Sequence, residues 1–256
     1  MNNESKTDGK ALSGQVAIVT GASKGIGAGI ARSLADAGAA VVVNYAGAKA
    51  DADRVVAEIS AGDGRAIAVQ ADVSIEADVT RLFAEAKKAF GQVTVLVNNA
   101  GRYAFGPLES VTVEEIQRQL DTNVKGVLLT TREAGRALAD GGSIVNIGSA
   151  ASSLKSAGGA LYTATKCAVD GITGVMAREL APRKIRVNSI NPGPTATEGA
   201  AAMGVLGGDI EKAMVAQIPL GRMGQPADMG PIAVFLASPA SAWVTGEVIV
   251  ASGGLR

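Results

Sequence analysis

The chain has 256 residues, is rich in Ala, Gly and Val and poor in aromatics, and carries 24 basic and 24 acidic side chains, enough material for one large α/β domain with a sizeable core. The balanced charge gives no basic surface for nucleic acid and no polybasic membrane contact. Histidine is absent and Cys167 is the only cysteine, which excludes Ser-His-Asp hydrolysis, Cys-His proteolysis, the usual zinc enzymes, a thiolate metal cluster and an intrachain disulfide.

Residues 1–10 are polar and mixed in charge. They lack the apolar core of a signal peptide and read as a frayed tail. No apolar run is long enough to span a bilayer, so a cytoplasmic protein is expected. Residues 15–20 (QVAIVT) form a short apolar, β-branched run and read as a buried strand. A glycine-rich turn follows, then helical spacing over 26–37. The remaining pattern predicts strands over 40–44, 65–70, 93–97, 143–147, 185–190 and 247–251. Helices are predicted over 50–60, 75–90, 112–139, 160–180 and 227–237, with Thr112 capping the long one ahead of Glu114 and Glu115. Residues 192–223 read as a loose stretch rich in Gly, Ala and Met. Alternating strands and helices argue for one Rossmann-type, doubly wound α/β domain over 11–256: a seven-stranded, mostly parallel sheet with helices on both faces.

The turn after the first strand runs Gly21, Ala22, Ser23, Lys24, Gly25, Ile26, Gly27. Glycines there let the backbone approach a ligand, and the following helix start points free N–H groups at a phosphate. Further along, Tyr162 and Lys166 stand four residues apart on a predicted helix, with Ser149 thirteen residues before the tyrosine. Four residues is about one turn, so phenol and ammonium share a face. A cation beside a phenol favours the phenolate, and such a group exchanges a proton with an alcohol oxygen. Cys167, next to Lys166, reads as an ordinary buried thiol.

The glycine turn with Thr20 before it, Asn98-Asn99-Ala100-Gly101, Asn123, Ser149, Tyr162 with Lys166, and Asn191-Pro192-Gly193 occur in one order. Together they resemble the short-chain dehydrogenase/reductase family over nearly the whole chain. The resemblance implies a catalytic set of Asn123, Ser149, Tyr162 and Lys166. In it Tyr162 exchanges the proton, Lys166 lowers the phenol pKa and binds the nicotinamide ribose, Ser149 holds the substrate oxygen, and Asn123 keeps a relay water. It implies cofactor contacts from Gly21, Ser23, Lys24, Gly25, Ile26 and Gly27 and from Asn44 and Tyr45 after the second strand. Asp72 and Val73 come after the third strand, and Asn99, Ala100 and Gly101 after the fourth. Pro192, Gly193, Thr195 and Thr197 complete the set with Tyr162 and Lys166. One departure stands at Ser252, where the family usually carries an aspartate near its assembly surface. The family implies a homotetramer.

NAD sites place an acid at the end of the second strand. Here that strand ends Val43, Asn44, Tyr45, Ala46. With no carboxylate to repel a 2′-phosphate, NADP(H) is the expected cofactor, held by Lys24 and Asn44 with Lys49 as a further candidate. The substrate pocket is expected from Arg102, Tyr103, Phe105, Ser149, Ala151, Leu154, Tyr162, Gly193 and Met203, under a mobile lid around 194–222. The expected partner is a small or aromatic ketone, aldehyde or secondary alcohol. Three alternatives compete: a 3-oxoacyl-thioester reductase acting on a carrier protein or CoA, a non-catalytic nucleotide sensor, and a sugar-nucleotide epimerase. The turn at 139–142 carries no base for an acidic carrier, and Arg132 and Arg136 read as surface charges. Sensors of this fold commonly lack the tyrosine or lysine. The 65 or so residues after the sixth strand leave little room for an epimerase's substrate domain.

Overall fold

Seven short runs of apolar residues pair side by side into a single sheet in the computed structural model, which describes residues 9–256. The tail expected over 1–10 therefore lies, for 1–8, outside the described residues. The strands are β1 (Val16–Val19), β2 (Ala40–Tyr45), β3 (Arg65–Gln70), β4 (Val95–Asn98), β5 (Ser143–Ile147), β6 (Arg186–Pro192) and β7 (Val248–Ala251). Their order is β3-β2-β1-β4-β5-β6-β7, and every pairing is parallel, where the sequence led only to a mostly parallel sheet. Parallel neighbours need crossover connections, which the helices supply on both faces.

The helices are α1 (Gly25–Asp36), α2 (Lys49–Ala61), α3 (Glu76–Phe90), α4 (Val113–Leu120), α5 (Gly126–Ala137), α6 (Ala151–Leu154), α7 (Ala160–Glu179), α8 (Glu198–Ala202), α9 (Asp209–Val215) and α10 (Pro226–Ala237). Strand side chains alternate between two cores. Ala17 and Val19 of β1 join Ile30 and Leu34 of α1 and Met229 and Ala233 of α10 on one face. Val16 and Ile18 join Val79, Leu82 and Phe83 of α3 and Ala134 of α5 on the other. No helix among the described residues is long and apolar enough to cross a membrane.

Two expectations change. The single helix predicted over 112–139 is continuous from 113 to 137 but carries a π-turn at Asp121–Lys125 between α4 and α5. Thr112 does cap its start, its hydroxyl accepting from the Glu115 N–H at 3.2 Å. The stretch 192–223 is not irregular throughout: it carries α8, capped by the Thr197 hydroxyl, and α9. Strand order reverses between β1 and β4, and in open α/β sheets that switch point, at the strands' carboxyl ends, is where ligands bind.

Candidate functional site

The turn between β1 and α1 is fixed from the neighbouring strand. Thr20 Oγ1 accepts from the Asn99 and Ala100 N–H groups at 2.9 and 3.0 Å. Asn99 Nδ2 donates back to the Thr20 and Gly21 carbonyls at 2.9 and 3.0 Å. This lacing brings the two strand tips so close that a Cβ on Gly27 would stand 2.4 Å from Asn99 Nδ2. Gly21 has φ +60°, and its Cβ would stand 2.8 Å from the Ala100 Cα. Only glycine fits either place. The turn thus presents bare backbone at the start of α1, with Lys24 exposed beside it.

Asn44, expected to reach a 2′-phosphate, is otherwise engaged. Its Oδ1 accepts from the Gly21 N–H at 3.2 Å, and its Nδ2 donates to the Val69 and Ala71 carbonyls at 3.3 and 3.0 Å. It is a buried strut between β1, β2 and β3, and its side chain has no donor left for a ligand. Lys49 is also engaged, in an ion pair with Asp53 at 2.6 Å. Lys24 remains the basic side chain at this end with no ion-pair partner among the described residues. Asp72 lines the wall and accepts from the Ser74 N–H and hydroxyl at 2.9 and 2.7 Å, closing its own turn.

α7 carries Tyr162 and Lys166. Lys166 is 5 % exposed, and its Nζ donates to the Ile147 carbonyl at 2.8 Å. That Nζ lies 5.7 Å from the centroid of the Tyr162 ring. Burial pulls the ammonium down to about 8, and the Asp170 carboxylate one turn on opposes that pull. The Tyr162 phenol is pushed up by burial, drawn back by its hydrogen bond with Ser149, and raised again by Tyr103. This corrects the expectation of a phenol lowered by Lys166. The lysine points to a carbonyl, its own charge is weakened by burial, and desolvation of the phenol wins.

Asn123, like Lys49, lies outside the cavity wall. It is 1 % exposed, in the π-turn, behind the wall. Its Oδ1 accepts from the Arg102 N–H at 2.8 Å, and its Nδ2 donates to the Arg102 carbonyl at 2.8 Å and to Thr165 Oγ1 at 3.0 Å. The side chain holds the backbone leading to Tyr103 and Phe105 against α7, so its amide nitrogen is not free for a relay water.

All the other expected cofactor and substrate residues line one cavity of about 760 Å³, within the usual range of ligand sites. The chain has one Trp, three Tyr and four Phe. Three of these rings meet here, Tyr103 at 6.3 Å and Phe105 at 5.4 Å from the Tyr162 centroid, both edge-on. Arg132 and Arg136 lie away from it, ion-paired with Glu76 and Glu133. Ser252 donates to the Leu255 carbonyl at 2.7 Å and closes the C-terminal turn. The cavity also takes in Thr122, Ile147, Glu198, Met214 and Met223, which sequence reasoning missed. The nearest signal was the position of Glu198 beside Thr197.

Comparison with known proteins sets the chain among oxidoreductases. A family model described as enoyl-(acyl carrier protein) reductase matches residues 21–256. An uncharacterized oxidoreductase of Methylorubrum extorquens is 54% identical over 245 residues, covering 96% of this chain and 99% of that one. A hydroxynaphthalene reductase-like protein of Metarhizium brunneum is 41% identical, covering 96% of each. A short chain dehydrogenase from Burkholderia cenocepacia, solved in complex with NADP, superposes with a TM-score of 0.90 at 36% identity over 96% of this chain and 99% of that one.

Proposed function

The chain belongs to the short-chain dehydrogenase/reductase family, and on that premise we propose that it reduces ketones to alcohols with NADPH, favouring ketones borne on aromatic rings. The observation that carries the reading is the meeting of Ser149, Tyr162 and Lys166 in the cavity that ends on the glycine turn. The residues fit a dinucleotide. Gly21 and Gly27 leave bare backbone where a side chain would intrude, and the first amide of α1 already holds a carboxylate oxygen, so this end of the cavity accepts anions. Lys24 would meet a 2′-phosphate, and no acid stands at the end of β2 to repel one.

The bound cofactor supplies the hydride. Ser149 holds the carbonyl oxygen in place, as an oxyanion donor does. Tyr162, kept protonated by burial, gives its proton to that oxygen as it becomes an alkoxide, and a protonated phenol is the form that reduction needs. Lys166, whose Nζ is fixed on the Ile147 carbonyl, would hold the ribose. Tyr103 and Phe105 offer ring edges and Met203 and Met214 soft, adaptable cover. The segment with α8 and α9 serves as a lid. The name of the Metarhizium relative points to the same aromatic class. The carrier-thioester alternative has the description of the matching family model on its side, but Arg132 and Arg136 are neutralised by their partners.

The test is a screen of aryl ketones, alkyl ketones, aldehydes and acyl thioesters for NADPH oxidation, repeated with NADH. Turnover of aryl ketones with NADPH above NADH is expected. Tyr162→Phe is expected to lower turnover by about 10²–10⁴ while NADPH still binds. Undiminished reduction by that variant would refute the assignment, and equal use of NADH would refute the cofactor preference.

A further inference from the structure

α1 lacks a cap of its own. Lys24 at the N-cap position contributes no side-chain hydrogen bond, and the first turn contains no acid. The first N–H groups of a helix need partners, and the positive end of its dipole favours negative charge. Here the missing cap comes from across the cavity. Glu198, at the start of α8 and 173 residues away in sequence, accepts the Gly25 N–H through Oε2 at 3.0 Å. Gly25, Thr197 and Glu198 all line the cavity, and a Cβ on Gly25 would touch Thr197 at 3.5 Å and Glu198 Oε2 at 3.8 Å. The carboxylate therefore sits over the glycine turn, inside the space that the dinucleotide reading assigns to a phosphate.

We propose that Glu198 sets the affinity for the dinucleotide by occupying the Gly25 amide as an internal anion that the cofactor's phosphates must displace. The inference rests on the NADPH reading above and adds a residue to it. Two negative groups cannot share one amide and one helix end. Binding therefore exchanges the Glu198–Gly25 contact for a phosphate contact, and the net gain is smaller than the phosphate contact alone. The same exchange frees the start of α8. That helix is packed on the substrate side at Gly199, where a Cβ would stand 1.8 Å from the Tyr103 hydroxyl. Glu198 is exposed, so its replacement leaves the core untouched.

The experiment is a fluorescence titration with NADPH at low salt on the wild type, Glu198→Gln and Glu198→Ala, with melting curves with and without NADPH. A carboxylate at an exposed helix start is worth a small interaction, so each variant is expected to bind NADPH about two- to five-fold more tightly. Without NADPH the variants are expected to melt slightly lower, having lost the cap, and to gain more from NADPH than the wild type does. A merely structural Glu198 would weaken NADPH binding along with stability. NADPH affinity unchanged or reduced in both variants overturns the proposal and leaves the cofactor reading standing. No NADPH binding by any of the three proteins overturns both.

Discussion

Lys166 holds a charge at a depth where charges are expensive. Its pKa of about 8 lies below the value near 10.4 of a free lysine, so the unfolded chain binds this proton more tightly than the folded one. The penalty is fully present below pH 8 and is relieved as pH rises toward 10.5. Against Lys166→Met, which carries no proton, the wild type is therefore expected to gain about 3 kcal/mol of stability between pH 7 and pH 10.5. Urea denaturation of both proteins at several pH values measures the difference. A constant gap would mean that the ammonium is solvated. The lost Ile147 contact sets a gap between the two proteins, and it is the change of that gap with pH that reports the buried ammonium. At this scale the sequence showed which groups meet, because four residues make a helical turn. It did not show that Nζ turns to the Ile147 carbonyl or how dry the phenol is. Both are set by β5 and the 101–105 wall, which come from distant parts of the chain, and the sign of the Tyr162 shift was lost with them.

The π-turn between α4 and α5 is the element that steadies the cavity wall at Arg102. The π-turn places Asn123 so that it pairs with both backbone groups of Arg102 and with Thr165. Extra residues of this kind inside helices are frequent at functional sites. Asn123→Ala leaves a part-buried N–H and C=O and a buried hydroxyl without their partner, and is expected to cost about 1–3 kcal/mol of stability. The wall that carries Tyr103 and Phe105 loosens with it, so KM for an aryl ketone is expected to rise more than the dissociation constant for NADPH. Urea curves and a titration beside the kinetics separate the two effects. Apolar periodicity predicted one helix here because a single π-turn leaves the stripe nearly in phase on either side. Gly126 was the local hint. Its Cβ would press on Val73 Cγ2 at 2.8 Å, so the chain needs a bare position just past the turn. α8 and α9 escaped for another reason: five and seven residues are too few to show a period.

The sheet was the most legible part of the molecule, because strands buried on both faces read as unbroken apolar runs. Val16–Val19 is apolar throughout and buried at every residue. What a single chain's sequence does not reveal is what covers its edges. β7 ends the sheet with Val248 partly open, and Trp243, the sole tryptophan, is 99% exposed on the approach to it. An open edge strand and a bare indole favour association with further copies. A homotetramer is expected, with a sedimentation mass four times the 25.6 kDa of the chain and a blue-shifted tryptophan emission. A monomer mass with the emission of a water-exposed indole would contradict this.

The threefold tether of Asn44 also makes the proposed preference for NADPH hard to retrain. The obvious swap, Asn44→Asp, would turn a donor into an oxygen facing the Val69 and Ala71 carbonyls, with the Gly21 N–H the one donor already directed at the new carboxylate. It is expected to destabilise the protein by about 3 kcal/mol without improving NADH binding, as chemical denaturation and an NADH titration can check. An acid grafted two positions later, at the exposed Ala46, meets no such collision and is the more promising route to an NADH-using variant.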